Sequence, residues 1–415
     1  MKYQVVKMGP EADGDRSRQL SAELHEDFAV LGLDPNEHLQ ELPADRVGEV
    51  DWKGTPVGAW FGGPDRTASP ALATLLDNCT PVLPIVDDLT RYTQLVPDEL
   101  LPVNGRQADD PRVRADVLRM LRLTRDRRQA FISYRRVDSS GVAGGLHDAL
   151  TRRGYSVFLD TASVEAGAQF QDILWDRLAD MDLLVLLDSP DALTSRWLLQ
   201  ELVQVNNLGL GVLQLVWPGR TPAAETHFST HCSLRPTDFV NGDSGRTGLL
   251  TEDATRAIAA LAEVVRIRSL GARRRRVTDE LVTRLQDGRF RAAVQPVGPV
   301  TIADAGAAAD DPPAAVAIPV VGLPDARGIQ ALEAELTRFW EVHEDRHPGH
   351  LAGLIQARNV RVVYDGLGVE SGRAEHLVWL NDYLKLQTVH FDRAPALRGD
   401  PLGRWLGAIR EGRES

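Results

Sequence analysis

A chain of 415 residues allows two to four domains at ~100–200 residues each, and 43% hydrophobic with 26% charged residues excludes wholesale disorder. Lys plus Arg number 47 and Asp plus Glu 59, leaving a formal net charge of −12. That balance argues against a general nucleic-acid binder, whose affinity comes from a basic surface. The two cysteines, Cys79 and Cys232, build no disulfide framework and fit no zinc spacing. A reducing cytoplasm is the expected setting. The start, Met-Lys-Tyr-Gln-Val-Val-Lys-Met, lacks the apolar core of a signal peptide. No run approaches the ~18 apolar residues of a membrane span, so no membrane partner is expected.

The first block covers residues 1–122. Lys2–Met8 reads as a strand. Asp15–Leu31 reads as a helix with Leu20, Leu24 and Phe28 on one face. Val82–Val86, between Pro81 and Asp87-Asp88, reads as a buried strand. Val96-Pro97 and Pro102-Val103-Asn104-Gly105 punctuate an irregular loop before a helix over Arg112–Leu123.

The second block, residues 127–270, alternates most clearly. Strands are expected at Ala130–Tyr134, Ser156–Leu159, Leu183–Leu187 and Val212–Val216. Helices are expected at Val142–Arg152, Phe170–Met181 and Ser195–Asn206. Such β-α units imply a parallel sheet with helices on both faces, whose ligands sit at the carboxyl ends of the strands. A closing helix begins at Glu252 with the stripe Ala254, Ile258, Leu261 and Val265. It continues as a helical extension over 271–302. The four arginines Arg273–Arg276 inside it read as a solvated face or as partners of the helix dipole, with an anion or partner site as the alternative.

Residues 303–315, rich in Ala, Gly, Asp and Pro, read as a linker. The third block, 316–415, is again α/β. Strands are expected at Val316–Val321, Val360–Tyr364 and Thr388–Phe391, and helices at Gly328–Trp340 and Glu375–Leu384. Asp365, Gly366, Gly368 and Arg373 follow a strand and precede a helix, the place of a ligand loop or of a plain turn. A Rossmann-like ligand sensor or an assembly module fits this block. His343, His347 and His350 lie close together, but Pro348 and Gly349 break any shared helix face. A polar loop, not a metal site, is expected. Gly144-Gly145 fails the dinucleotide spacing, and Ser189 or Ser195 as a triad serine lacks a nucleophile elbow.

One set of segments is more specific. Phe131-Ile132-Ser133-Tyr134-Arg135-Arg136 resembles the first box of the TIR (Toll/interleukin-1 receptor) family. Gly154 to Asp160 resembles its second strand and terminal acid, and Val164-Glu165-Ala166-Gly167 its BB loop. Leu183–Leu187 with Ser189-Pro190 resembles the third strand and its end. Ser195-Arg196-Trp197 with Glu201-Leu202 resembles the helix carrying the family's Trp and Glu. The five pieces stand in order over about a third of the chain and are most similar to the bacterial class and to the TIR domain of the axon-degeneration NADase.

The resemblance implies a flavodoxin-like TIR domain, and the strand and helix pattern on either side of it reads as two further α/β domains. It also implies a cytoplasmic NAD⁺ glycohydrolase of antiphage defence, with NAD⁺ as substrate and no cofactor. Self-association through TIR domains and a trigger protein or nucleotide are the implied partners. Trp197 and Glu201 are four apart and share a helix face. By resemblance Glu201 is the catalytic carboxylate; the bland reading is a solvated helix charge. Trp197 stacks on a flat ring or anchors the helix in the core. Arg135 and Arg136, directly after a strand, grip pyrophosphate or form surface pairs with Asp138 or Asp160. Tyr134 and Glu165 complete the implied substrate-binding set, Glu165 being otherwise a loop acid. Two further outputs remain open: a cyclic ADP-ribose-type messenger for a separate effector, and a noncatalytic TIR scaffold. Thr80–Val86, Arg91-Tyr92 and Asn104-Gly105 faintly echo a second, degenerate copy of the fold in the first block.

Overall fold

The fold is described from a computed structural model. It describes all residues except 1, 32, 53, 124–127, 160–180, 191–204, 206–208, 223–225, 297, 323, 325–328, 331, 334–335, 338, 340–343, 345–346, 366–376, 380, 382–385, 392–400 and 412–415. Residues 125–273 with 367–370 form one compact unit; residues 1–124, 274–366 and 371–415 form another. The α/β character read from the sequence holds in all three described sheets.

In the unit of residues 125–273, β6 (Arg128–Ser133), β7 (Tyr155–Leu159), β8 (Leu183–Asp188), β9 (Gly211–Val216) and β10 (Thr230–Ser233) form a parallel sheet. Their order is β10-β9-β8-β6-β7. Numbered within the sheet this is the doubly wound order 2-1-3-4-5. Every residue of β8 is buried, as its unbroken apolar run requires of a central strand. Alternate residues of the strands feed two separate cores. Ile132, Val185, Leu187 and Leu215 pack with Val142 and Leu146 of the helix Arg136–Arg152 and with Ile258 and Val265 of the long helix Glu252–Asp287. Phe131, Leu184, Leu186 and Val212 pack on the opposite face with Met181 and Val205. The helices expected at 170–181 and 195–206 lie outside the described residues, apart from Met181 and Val205.

In the other unit, β1 (Tyr3–Met8), β2 (Leu39–Pro43), β3 (Val57–Phe61), β4 (Val82–Val86) and β5 (Arg106–Gln107) form a second parallel sheet, ordered β2-β1-β3-β4-β5. This is the same doubly wound order. The helix Asp15–Val30 buries Leu20, Leu24 and Phe28 as its spacing requires. The helix Pro70–Asp77 is set by Pro70 in its first turn and by the Ser69 hydroxyl, which accepts from the Leu72 amide at 3.2 Å.

A third sheet runs in chain order: β11 (Phe290–Val294), β12 (Val300–Asp304), β13 (Ala315–Val320), β14 (Val360–Asp365) and β15 (Gln387–Phe391). Its first two pairings are antiparallel and its last two parallel. This corrects the Rossmann-like expectation, because no strand-order reversal occurs among the described strands to open a nucleotide crevice. Ile329, Leu336 and Phe339 are helical and buried, as their spacing implies. The expected linker also changes character. Thr301 pairs with Val316 and Ile302 with Ala315, so residues 305–314 close a hairpin between β12 and β13. Small residues with Asp and Pro suit a turn as well as a tether, and strand pairing decides between them.

The β1–β5 and β11–β15 sheets share this unit through part-buried polar contacts. Asn104 donates its backbone N–H to Gln295 Oε1 at 3.0 Å and its side-chain amide to the Phe339 carbonyl at 2.7 Å. The arginine run is not a solvated face. Arg273 is buried and donates to the Met181 carbonyl at 2.9 Å. Arg274 donates to the Met120 carbonyl at 3.2 Å, Arg275 lies over the Trp52 ring at 5.6 Å, and Arg276 pairs with Asp365 at 3.2 Å. Four consecutive helix residues sweep the whole circumference, so each meets a different surface. Among the described residues no helix is long and apolar enough to cross a membrane.

Candidate active site at the carboxyl edge of the β6–β10 sheet

The edge of interest is the carboxyl end of β6–β10. At the end of β6 the chain passes through Tyr134 to Arg135, which caps the helix Arg136–Arg152 in an extended conformation. Ser139 interrupts that helix at φ −144°, and its buried hydroxyl donates to the Arg135 carbonyl at 3.2 Å. The first turn is thereby tied to the strand end.

Asp138 is the hub of this edge. Its Oδ2 accepts from Arg135 Nη1 at 3.0 Å and from Ser189 Oγ at 3.2 Å. The ends of β6 and β8 are thus joined by one carboxylate. Asp188, the last residue of β8, is fully buried. It accepts from Gln214 Nε2 at 2.9 Å and from Arg220 Nη2 at 3.2 Å, and Arg220 also donates to the Pro190 carbonyl. A buried carboxylate held by a guanidinium fixes the loop after β9 against the end of β8. Trp217 Nε1 donates to the Ser244 carbonyl at 2.9 Å. Gly141 lets the 243–248 loop approach, because a Cβ there would stand 2.4 Å from the Gly248 carbonyl oxygen.

The residues singled out in the sequence divide as follows. Arg135 and Arg136 stand at the carboxyl edge. Arg135 is paired with Asp138 yet keeps 43% of its side chain exposed, so an incoming anion can compete for it. Tyr134 is half-buried and packs its ring on the core beneath. Glu201, Trp197 and Glu165 lie outside the described residues, as do Gly366, Gly368 and Arg373. Asp365 is held by Arg276. Asp188, Gln214 and Arg220 stand at the same edge, beside Ser189, which the sequence offers only as a strand end. Their only sequence signal is the Asp-Ser-Pro that ends a buried strand.

The other candidates separate on chemistry. His347 and His350 have ring centroids 6.0 Å apart, and burial together with the neighbouring His347 holds His350 below the ordinary imidazole range. No group of three or more His, Cys, Asp or Glu that could hold a metal ion occurs among the described residues. Burial, reinforced by the Asp279 carboxylate, pushes the Cys79 thiol up to about 12. Burial also raises Cys232. Nucleophilic cysteines have depressed pKa values, so both thiols are expected to react with a disulfide reagent at pH 8 far more slowly than free cysteine. Stoichiometric labelling of the native chain at the rate of free thiol overturns this.

The edge is therefore a rim of guanidinium groups held by carboxylates, able to receive the phosphates of a nucleotide. Residues 130–243 match the family model described as TIR domain. Comparison with characterised proteins finds no significant match to the chain.

Proposed function

Residues 130–243 form a TIR domain, and from that premise we propose that the chain is a TIR-type NAD⁺ glycohydrolase acting in bacterial antiphage immunity. It cleaves NAD⁺ to nicotinamide and ADP-ribose or a cyclic form, and it is switched on by self-assembly through its TIR domains. The observation that carries the reading is the coincidence of the family match with a doubly wound sheet whose carboxyl edge holds Arg135, Arg136, Asp138 and Ser189. That edge is where such folds hold their ligands.

In this reading the nicotinamide ring leaves as a neutral base from a cationic nitrogen. It needs no proton from a general acid, so one carboxylate suffices where an ordinary glycosidase uses two. Glu201 supplies it and stabilises the oxocarbenium-like ribose. Trp197 stacks on a flat ring, Arg135 and Arg136 hold the pyrophosphate, and Tyr134 and Glu165 line the same site. Water takes the freed bond and a proton is released to solvent.

The test incubates the purified chain with NAD⁺ at high protein concentration and resolves the products by chromatography and mass spectrometry. Nicotinamide with ADP-ribose is the expected result, and a cyclic product moves the output to messenger synthesis. No nicotinamide release, from the purified chain or with lysate of infected cells added, sinks the proposal. A second measurement concerns Arg135. Because its guanidinium exchanges Asp138 for substrate phosphate, Arg135→Ala is expected to raise KM about tenfold with little change in kcat. A fall in kcat at unchanged KM argues for a different role.

A further inference from the structure

Outside the TIR domain, the β11–β15 sheet has two unlike faces. Phe290, Ala292, Val294, Val300 and Ile302 alternate onto one of them, where they pack with Leu281 of the long helix. The register pairs Arg291 with Ala303 and Ala293 with Thr301, so these four share the other face. Over β13 and β14 that face is covered by Ile329, Leu336 and Phe339. Over β11 and β12 it borders a cavity of about 30 Å³ instead. Leu101 and Pro102 wall the cavity on one side, and residues of the β12–β13 hairpin wall it on another. A water needs ~10–15 Å³ of such space, so the cavity has room for roughly two or three water-sized groups. Ala293 and Ala303 leave that room, which longer side chains at either position would fill.

Four titratable groups line it: Arg291, Asp310, Asp311 and His347. Arg291 is half-buried and donates from Nη1 to the Ala307 carbonyl and from Nη2 to the Ala308 carbonyl, both at 2.7 Å. These bonds fix the guanidinium and leave the rest of its donors unused. Asp311 Oδ2 accepts the Ala308 N–H at 2.6 Å. Asp310 is exposed and has no hydrogen-bond or ion-pair partner among the described residues.

These signs select the ligand. A polyanion such as a nucleotide meets two carboxylates beside one guanidinium. A simple cation meets the guanidinium. A zwitterion offers a carboxylate to the arginine fork and an ammonium to a carboxylate, each through charge-assisted hydrogen bonds. The space suits a molecule of about five or six heavy atoms, and the alanine walls suit a hydrogen or methyl substituent.

We propose that this cavity binds a small α-amino acid, of glycine or alanine size, as its zwitterion. Arg291 holds the carboxylate and Asp310 the ammonium. The site stands apart from the NAD⁺ reading of the TIR domain.

The experiment is calorimetric titration of the full chain with glycine and with L-alanine at constant ionic strength. It runs to ~10 mM, a range set by so few ligand atoms. Acetate and methylamine, each carrying one of the two charged groups, are titrated beside them. Wild type is expected to bind at least one amino acid saturably, about tenfold or more tighter than acetate or methylamine. The same ligand should raise Tm. Asp310→Asn is expected to weaken binding about tenfold or more, as losing a charge-assisted bond implies. Because Asp310 makes no internal bond, that variant should melt like wild type without ligand. Ala303→Val fills the cavity with every charge left in place and is expected to abolish binding. No saturable binding by wild type, acetate or methylamine bound as tightly as the amino acid, or wild-type affinity in either folded variant overturns the proposal.

Discussion

Replacing Glu263 with glutamine is expected to cost about 3 kcal/mol of stability at pH 7, the lower end of what breaking a buried ion pair costs. Glu263 is 3% exposed and Arg266 is fully buried. Arg266 donates to both carboxylate oxygens, Nη2 to Oε1 at 2.7 Å and Nε to Oε2 at 2.9 Å. Tyr155 Oη donates to the same carboxylate. Asp182, also buried, lies 4.0 Å from Arg266 and accepts the Gln129 N–H at 3.1 Å. Gln129, Tyr155 and Asp182 stand at the starts of β6, β7 and β8, so this network ties the long helix to the end of the sheet opposite the candidate site. Removing the charge leaves a buried guanidinium without its main counterion. The change is read from hydrogen exchange of the β6 and β8 amides, which report the local opening free energy. A loss below ~1 kcal/mol shows that the pair is not what anchors the helix.

The same residue fixes a pH dependence. Burial alone would raise the Glu263 pKa, but the Arg266 charge and hydrogen bonds, with help from Arg128 and Tyr155, hold it far below the ordinary carboxylate range. A depressed folded-state pKa contributes stability that is full above the unfolded value, ~4.3, and is lost as pH falls below it. The stability gap between wild type and Glu263→Gln should therefore be constant from pH 7 to about 5. Below ~4.3 it should narrow by about 1.4 kcal/mol per pH unit. A gap that stays constant to pH 3 excludes the linkage.

Much of this architecture is legible in local pattern. The run Leu183–Leu187 has to be a central strand, and Leu20, Leu24 and Phe28 have to face a core. What escapes is short or non-local. β3, Val57–Phe61, is a buried strand with a glycine inside and no alternation, and β5 is two residues long. The stretch 303–315 has a tether's composition but is a hairpin because Thr301 and Val316 pair. Arg273–Arg276 look solvated because nothing near them in sequence announces Met181, Met120, Trp52 or Asp365. At the candidate site, Arg135 and Arg136 follow from the rule that ligands sit beyond strand ends. The bond from Ser189 to Asp138 spans 51 residues and exists only in the fold. The doubly wound order of the β1–β5 sheet is equally invisible locally, since β2, β3 and β5 carry no distinctive period.

On the proposed activity, Glu201→Gln is expected to lower NAD⁺ turnover about 10³-fold, the scale of losing one preplaced electrostatic group at a reacting centre. Glutamine keeps the size of the side chain and one acceptor oxygen, but removes the charge and puts an NH2 donor in place of the second oxygen. Substrate binding through the arginine rim should survive, so KM should change far less than kcat. That split separates a carboxylate facing the developing ribose cation from one that merely positions NAD⁺, whose loss would appear in KM. The variant must also keep the wild-type hydrogen-exchange protection of β6 and β8, because a fold defect lowers turnover without saying anything about chemistry. Turnover within threefold of wild type removes Glu201 from the reaction and leaves the TIR domain with another carboxylate or with no catalysis. Trp197→Ala supplies the contrast. An indole that stacks on the substrate carries no charge, so its loss should raise KM more than it lowers kcat. If the two variants show the same split, the division of labour between carboxylate and ring is wrong, even where both lose activity.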